Sequence, residues 1–114
     1  MVSLFIDPET KQINASKKTG ADAVEIHTGS YANTRTEKKR RLELNKIKKA
    51  AHCAHKKGLI VNAGHGLNYQ NTKDIIKIGL INEVNIGHSI ISYAVFVGLA
   101  KAVKEMKKII RKYD

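Results

Sequence analysis

Residues 58–67 read GLIVNAGHGL, and this stretch decides the fold. Leu59–Asn62 is a short run of mainly branched apolar residues, which predicts a buried strand. Gly58 ends the helix-patterned segment before it. The turn Gly64-His65-Gly66 then sets a histidine at the strand's carboxyl end with little bulk on either side. A strand fed by a helix and closed by a glycine-rich turn is one unit of an alternating α/β pattern.

The same unit recurs on both sides. Val2–Ile6 is a β-favouring run stopped by Asp7-Pro8, where Asp7 is expected to cap a helix over Glu9–Thr19 that ends at Gly20. Ala23–Ile26 is the second strand, followed by a polar loop, His27–Arg35, and a long basic helix within Thr36–Lys57. After the central strand, Asn71-Thr72 caps a short helix that ends at Gly79. Glu83–Ile86 is the fourth strand, and Gly87-His88-Ser89 opens a last long helix reaching Lys112. Four strand–helix units without a hairpin signal predict a parallel sheet, and right-handed crossovers place every helix on one side if the sheet curls. The spacing suits a (β/α)8 barrel, which takes about 250 residues. The 114 residues of this chain therefore hold about half of one, as a single partial domain over residues 1–114.

Composition narrows the function classes. A single cysteine, Cys53, allows no intrachain disulfide and suits a reducing compartment. The amino terminus has no basic region leading into a long apolar stretch, and the longest apolar run, Ile90–Ala100, is too short for the roughly 20 residues of a membrane span. A cytoplasmic, soluble chain is expected, with no membrane partner. The net charge of +11 could mark a nucleic-acid partner. Yet the lysines interleave with apolar residues at helical spacing: Leu44, Ile47, Ala51, Ala54 in one segment and Val103, Met106, Ile110 in the other. They are expected on the outer faces of amphipathic helices, and aromatic residues are few.

In a (β/α) barrel the chemistry sits at the carboxyl ends of the strands. There the chain offers Glu25, His27, Thr28 and Gly29 on strand two, and Asn62, Gly64, His65 and Gly66 on strand three. Strand four offers Asn85, Gly87, His88 and Ser89. Gly64 and Gly66 let backbone approach a ligand, and Gly87-His88-Ser89 begins a helix with unpaired N–H groups. If this is the second half of a barrel, the two loops are those that commonly bind phosphate, so a phosphorylated substrate is expected. His65 could exchange protons beside such a site. Its competing reading is a structural turn histidine. Glu25 lies in an apolar strand, where a carboxylate needs a function or a partner; the alternative is an outward-pointing or ion-paired group. A zinc site from His27, His65 and His88 is a further alternative, with no carboxylate pattern to support it. His52, His55 and Cys53 are expected at the surface or in packing.

The blocks SLFIDP, GADAVEIHTGSYA, VNAGHGLNYQN and EVNIGHSIISYAVFVGL, in this order, together resemble the carboxyl-terminal half of the pyridoxine 5′-phosphate synthase family. The resemblance runs over essentially the whole chain and implies a (β/α)8 TIM-barrel type fold, with strands five to eight present. It implies a transferase of vitamin B6 biosynthesis. That family condenses 3-amino-2-oxopropyl phosphate with 1-deoxy-D-xylulose 5-phosphate, releasing inorganic phosphate and water. The family's proton donor maps to His65 and its transition-state stabiliser to Glu25, while Gly66, Gly87 and His88 map to residues binding the aminoketone phosphate. No cofactor or metal is implied.

The family's other catalytic histidine and glutamate and its pentulose-phosphate ligands lie on the first four strands, which this chain lacks. The chain alone is therefore expected to be inactive. With two open sheet edges and an apolar inner face, it should form a homo-oligomer or need its amino-terminal half. The apolar last helix, with Tyr93, Phe96 and Leu99, is a candidate contact surface. The alternatives are a non-catalytic half-barrel assembly module, a basic nucleic-acid-binding domain and a different phosphate-handling barrel enzyme.

Overall fold

The computed structural model describes residues 1–114, with four strands in one parallel sheet ordered as in the sequence. These are β1 (Ser3–Ile6), β2 (Ala23–His27), β3 (Ile60–Gly64) and β4 (Glu83–Asn85). The helices are α1 (Thr10–Lys18), α2 (Gly29–Ala32), α3 (Glu37–Lys56), α4 (Thr72–Ile76), α5 (His88–Val97) and α6 (Leu99–Tyr113). Sequential parallel order needs a crossover after each strand, and right-handed crossovers, the general rule, would send the helices to one face.

Strand alternation then sorts the side chains. Val24 and Ile26 of β2 and Val61 and Ala63 of β3 join Ile13 of α1, Ile75 of α4, and Ile47, Ala50, Ala51 and Ala54 of α3 in the buried core. The lysines of α3 stay on its outer side, as the amphipathic spacing predicts. In α6 the buried residues are Ala102 and Met106, whereas Val103 is exposed.

The opposite face of the sheet corrects an expectation. It is polar rather than apolar: β1 to β4 register aligns Phe5 with Glu25, Glu25 with Asn62, and Asn62 with Glu83. The next row aligns His27 with Gly64 and Gly64 with Asn85. Because the apolar residues alternate toward the helices, their neighbours on the open face are mostly polar. Phe5 and Ile60 are its large exposed apolar side chains.

Other differences have local causes. Strand β3 runs two residues further than predicted, so Gly64 lies in the sheet and His65 follows it directly. The N-cap of α1 is Glu9, and Asp7 instead exchanges hydrogen bonds with the Gln12 side chain. The polar loop after β2 contains the short helix α2, anchored by the buried Tyr31. The expected last helix is two, broken at Gly98, whose φ of 86° and ψ of 152° suit glycine almost alone. No helix is long and apolar enough to cross a membrane. On α5 and the start of α6, Ile91, Val95, Phe96 and Leu99 are exposed.

Candidate active site

Alternation turns Glu25 and His27 of β2, and Asn62 and Gly64 of β3, onto the open face. The register makes Glu25 the neighbour of Asn62, and His27 the neighbour of Gly64. Gly64 is small for a reason two strands wide. A Cβ there would overlap the Glu25 carboxylate oxygen Oε1 and approach the Asn85 Cβ and carbonyl oxygen to 3.1 Å. Glu25 is half-buried and takes part in none of the four ion pairs, which sets aside the ion-paired alternative.

His65 is the only non-glycine residue with positive φ, at 85°. Such a conformation costs on the order of 1–3 kcal/mol and persists only where its surroundings impose it. They do so here. Thr28, fully buried, brings its hydroxyl Oγ1 to 2.7 Å from the Gly64 carbonyl and 2.6 Å from that of His65. Further along the loop, Asn68 accepts from the Gln70 and Asn71 N–H groups, each at 2.9 Å. The Asn71 amide donates to the Gly66 carbonyl at 3.2 Å, and the Tyr31 hydroxyl donates to the Asn71 carbonyl at 2.7 Å. Burial pushes the Tyr31 phenol above its ordinary pKa, which keeps it a donor.

The His65 ring stacks on that of His27, with centroids 4.7 Å apart and planes 23° apart. His27 packs in turn against Phe5 at 4.9 Å. Across the sheet, Gly87 caps α5, and the Ser89 hydroxyl donates to the Leu67 carbonyl at 2.8 Å, tying the β3 and β4 loops together.

Between those loops lies a cavity of about 680 Å³. Glu25, His65, Gly66, Gly87 and His88 all line it, together with Asn85 and Ser89, whereas His27, Thr28, Gly29, Asn62 and Gly64 do not. No lysine or arginine is among the lining residues. An anion entering here would meet imidazole and the backbone N–H groups that open α5. A carboxylate and an imidazole on the walls of one cavity can stabilise positive charge and move a proton.

Other expectations are not brought together. His27, His65 and His88 form no metal site, and no group of three or more His, Cys, Asp or Glu side chains is placed to hold a metal ion. His52 and His55 are exposed on α3, and Cys53 packs against the core from its edge. Phe5 and Asn68 line the cavity without having been singled out. The pairing of His27 with His65 was likewise missed, although the two-residue spacing of Glu25 and His27 already places both on one face.

The sequence model for "Pyridoxal phosphate biosynthesis protein PdxJ" matches residues 1–112. The chain is similar to the pyridoxine 5′-phosphate synthase of Sulfurihydrogenibium sp. (strain YO3AOP1), with 62% identity over 109 residues covering 96% of this chain and 44% of that protein. The protein of the same name from Coxiella burnetii (strain RSA 493 / Nine Mile phase I) is 58% identical over 109 residues, 96% of this chain and 45% of that one. That from Geobacter sp. (strain M21) is 54% identical over 111 residues, 97% of this chain and 46% of that one. The chain thus spans a little under half the length of the curated relatives it matches.

Proposed function

This chain belongs to the PdxJ family of pyridoxal phosphate biosynthesis proteins, and from that premise we propose that it supplies the aminoketone-phosphate half of a pyridoxine 5′-phosphate synthase active site. Its four βα units form the second half of a (β/α)8 barrel, and its substrates are 3-amino-2-oxopropyl phosphate and 1-deoxy-D-xylulose 5-phosphate. The observation that carries this reading is the single cavity lined by Glu25, His65, Gly66, Gly87 and His88.

In this scheme the phosphate of the aminoketone sits against Gly66, Gly87 and His88, where the amino-terminal end of α5 offers unpaired N–H groups and positive potential. The amino group then condenses with the pentulose ketone. Each hydroxyl that leaves as water must take up a proton, and His65 donates it from its place on the cavity wall. The nitrogen carries positive charge as the carbon–oxygen bond breaks. Glu25, whose carboxylate lies against Gly64 and lines the cavity, lowers the energy of that cation. Ring closure releases inorganic phosphate and water.

The resemblance places the proton-accepting residues and the pentulose-phosphate ligands on the other half of the barrel. The 114 residues by themselves therefore bind the aminoketone phosphate without completing the pyridine ring. The working enzyme is a cytoplasmic transferase and an oligomer, or this chain joined by a complementary half. A second reading, a non-catalytic assembly module, is favoured by the exposed Ile91, Val95, Phe96 and Leu99.

The test is pyridoxine 5′-phosphate formation from both substrates by this chain, alone and mixed with the remaining half of a relative, with His65→Asn as control. Turnover that needs the added half and fails in the variant is expected. A folded complex without turnover would overturn the catalytic reading and leave the assembly module.

A further inference from the structure

We infer that the segment His27-Thr28-Gly29 is a cradle that sets the position of His65, with Thr28 and His27 as its positioning residues. The inference rests on the reading of His65 as the proton donor.

Thr28 holds the backbone. Its hydroxyl has one hydrogen and two carbonyls within reach, those of Gly64 at 2.7 Å and His65 at 2.6 Å. The Gly64 carbonyl already receives the Thr28 N–H at 2.8 Å. The carbonyl that depends on the hydroxyl is therefore that of His65, the residue with φ of 85°. Returning φ to the helical or extended region would rotate this residue by roughly 150° or more and carry the ring away from the cavity wall. A fully buried hydroxyl on that carbonyl opposes the rotation, because leaving would break the hydrogen bond that ties the His65 backbone to the end of β2.

His27 holds the ring. Its Nδ1 accepts the Gly29 N–H at 3.1 Å, which fixes the imidazole plane. The His65 ring lies on this fixed plate at 4.7 Å. Gly29 completes the cradle: a Cβ there would overlap the His27 ring and come within 3.1 Å of His65 Cδ2. His27 does not line the cavity, so it acts through His65.

Two readouts test this. Ring–ring nuclear Overhauser contacts between His27 and His65 are recorded on the 114-residue chain, and turnover is measured with the companion half of a relative. Thr28→Val, which keeps the shape and removes the hydroxyl, should lose the ring–ring contact and lower kcat by roughly 10- to 100-fold. KM for the aminoketone phosphate should stay within about twofold, since the phosphate groups are untouched. Thr28→Ser should restore both. His27→Ala should lower kcat with KM held, and His27→Phe, which keeps a flat ring, should retain more turnover than His27→Ala. The His27 pair decides the matter if Thr28→Val does not fold.

Thr28→Val or His27→Ala with wild-type kcat would overturn the cradle, as would a ring–ring contact that survives Thr28→Val. If even the wild-type mixture fails to make product, the catalytic reading falls. The ring–ring contact still decides the cradle in that case: its loss in Thr28→Val upholds it and its survival overturns it.

Discussion

Gly64→Ala should separate function from stability. Gly64 is a strand residue outside the positive-φ glycines, so its backbone accepts alanine without torsional strain. The added methyl meets two neighbours of different stiffness. Glu25 Oε1 is the far end of a flexible side chain and can swing away, whereas the Asn85 Cβ and carbonyl at 3.1 Å belong to β4 and must give by a few tenths of an ångström. Overfilling of this kind costs about 1–3 kcal/mol, and replacing glycine returns roughly 0.4–1 kcal/mol by restricting the unfolded chain. The net loss should be about 1 kcal/mol, or roughly 4–8 °C in Tm for a domain near this size. The displaced carboxylate matters far more. Losing a preorganised charge at a developing cation costs about 2.7–4 kcal/mol, a factor of roughly 10²–10³ in kcat. Urea unfolding followed by circular dichroism gives the first quantity, and condensation with the companion half gives the second. Because both changes act through one carboxylate, Gly64→Ala combined with Glu25→Gln should be hardly slower than the worse single variant. Wild-type turnover with alanine at 64, or multiplicative loss in the double variant, would refute the placement of Glu25 against Gly64.

Three further outcomes follow from the same framework. Tyr31→Phe removes the hydrogen bond to the Asn71 carbonyl and should cost about 1 kcal/mol, with faster amide exchange at Asn68 and Asn71; unchanged exchange would show that the loop does not lean on Tyr31. The Glu37 carboxyl is held below its ordinary pKa chiefly by the Arg40 hydrogen bond, with Arg41 adding to it. A folded value below the unfolded one means that its contribution is complete above the ordinary glutamate range and fades as pH falls through the lower folded value. Glu37→Gln should flatten the acid limb of a urea-midpoint profile, and superimposable limbs would count against the pairing. Gly98→Ala forces an ordinary residue to φ of 86° and ψ of 152° and should lose about 1–3 kcal/mol. Since no atom lies within 4 Å of the added methyl, that loss would be conformational rather than steric; an unchanged urea midpoint would mean the α5–α6 joint relaxes freely.

How far the sequence could be read depends on whether each signal is local. The strands and the amphipathic face of α3 were legible because alternation and helical spacing are written in consecutive residues, and the loop residues of the site followed from strand ends. Helix α2 was not, since its four residues carry no periodic pattern and Tyr31 is held by a partner forty residues away. The break at Gly98 was hidden because a lone glycine is tolerated inside a helical pattern. The polar character of the open face needed the register, which aligns Glu25, Asn62 and Glu83 only once the strands pair.

The stretch Gly64-His65-Gly66 shows the limit most clearly. Glycines on either side of His65 suggest a freely turning loop. In the fold Gly64 is extended within β3 and leaves its side-chain space to Glu25, while Gly66, at φ of 74°, faces the Ala32 Cβ, which an added Cβ would meet at 2.7 Å. Each glycine makes room for a neighbour from another element. The unusual backbone at the turn's centre falls on the histidine itself, and Thr28, on the adjacent strand's end, is placed to hold it there. The histidine and its glycines are visible in consecutive residues, but a backbone held by a contact thirty-seven residues distant in sequence is visible only in three dimensions.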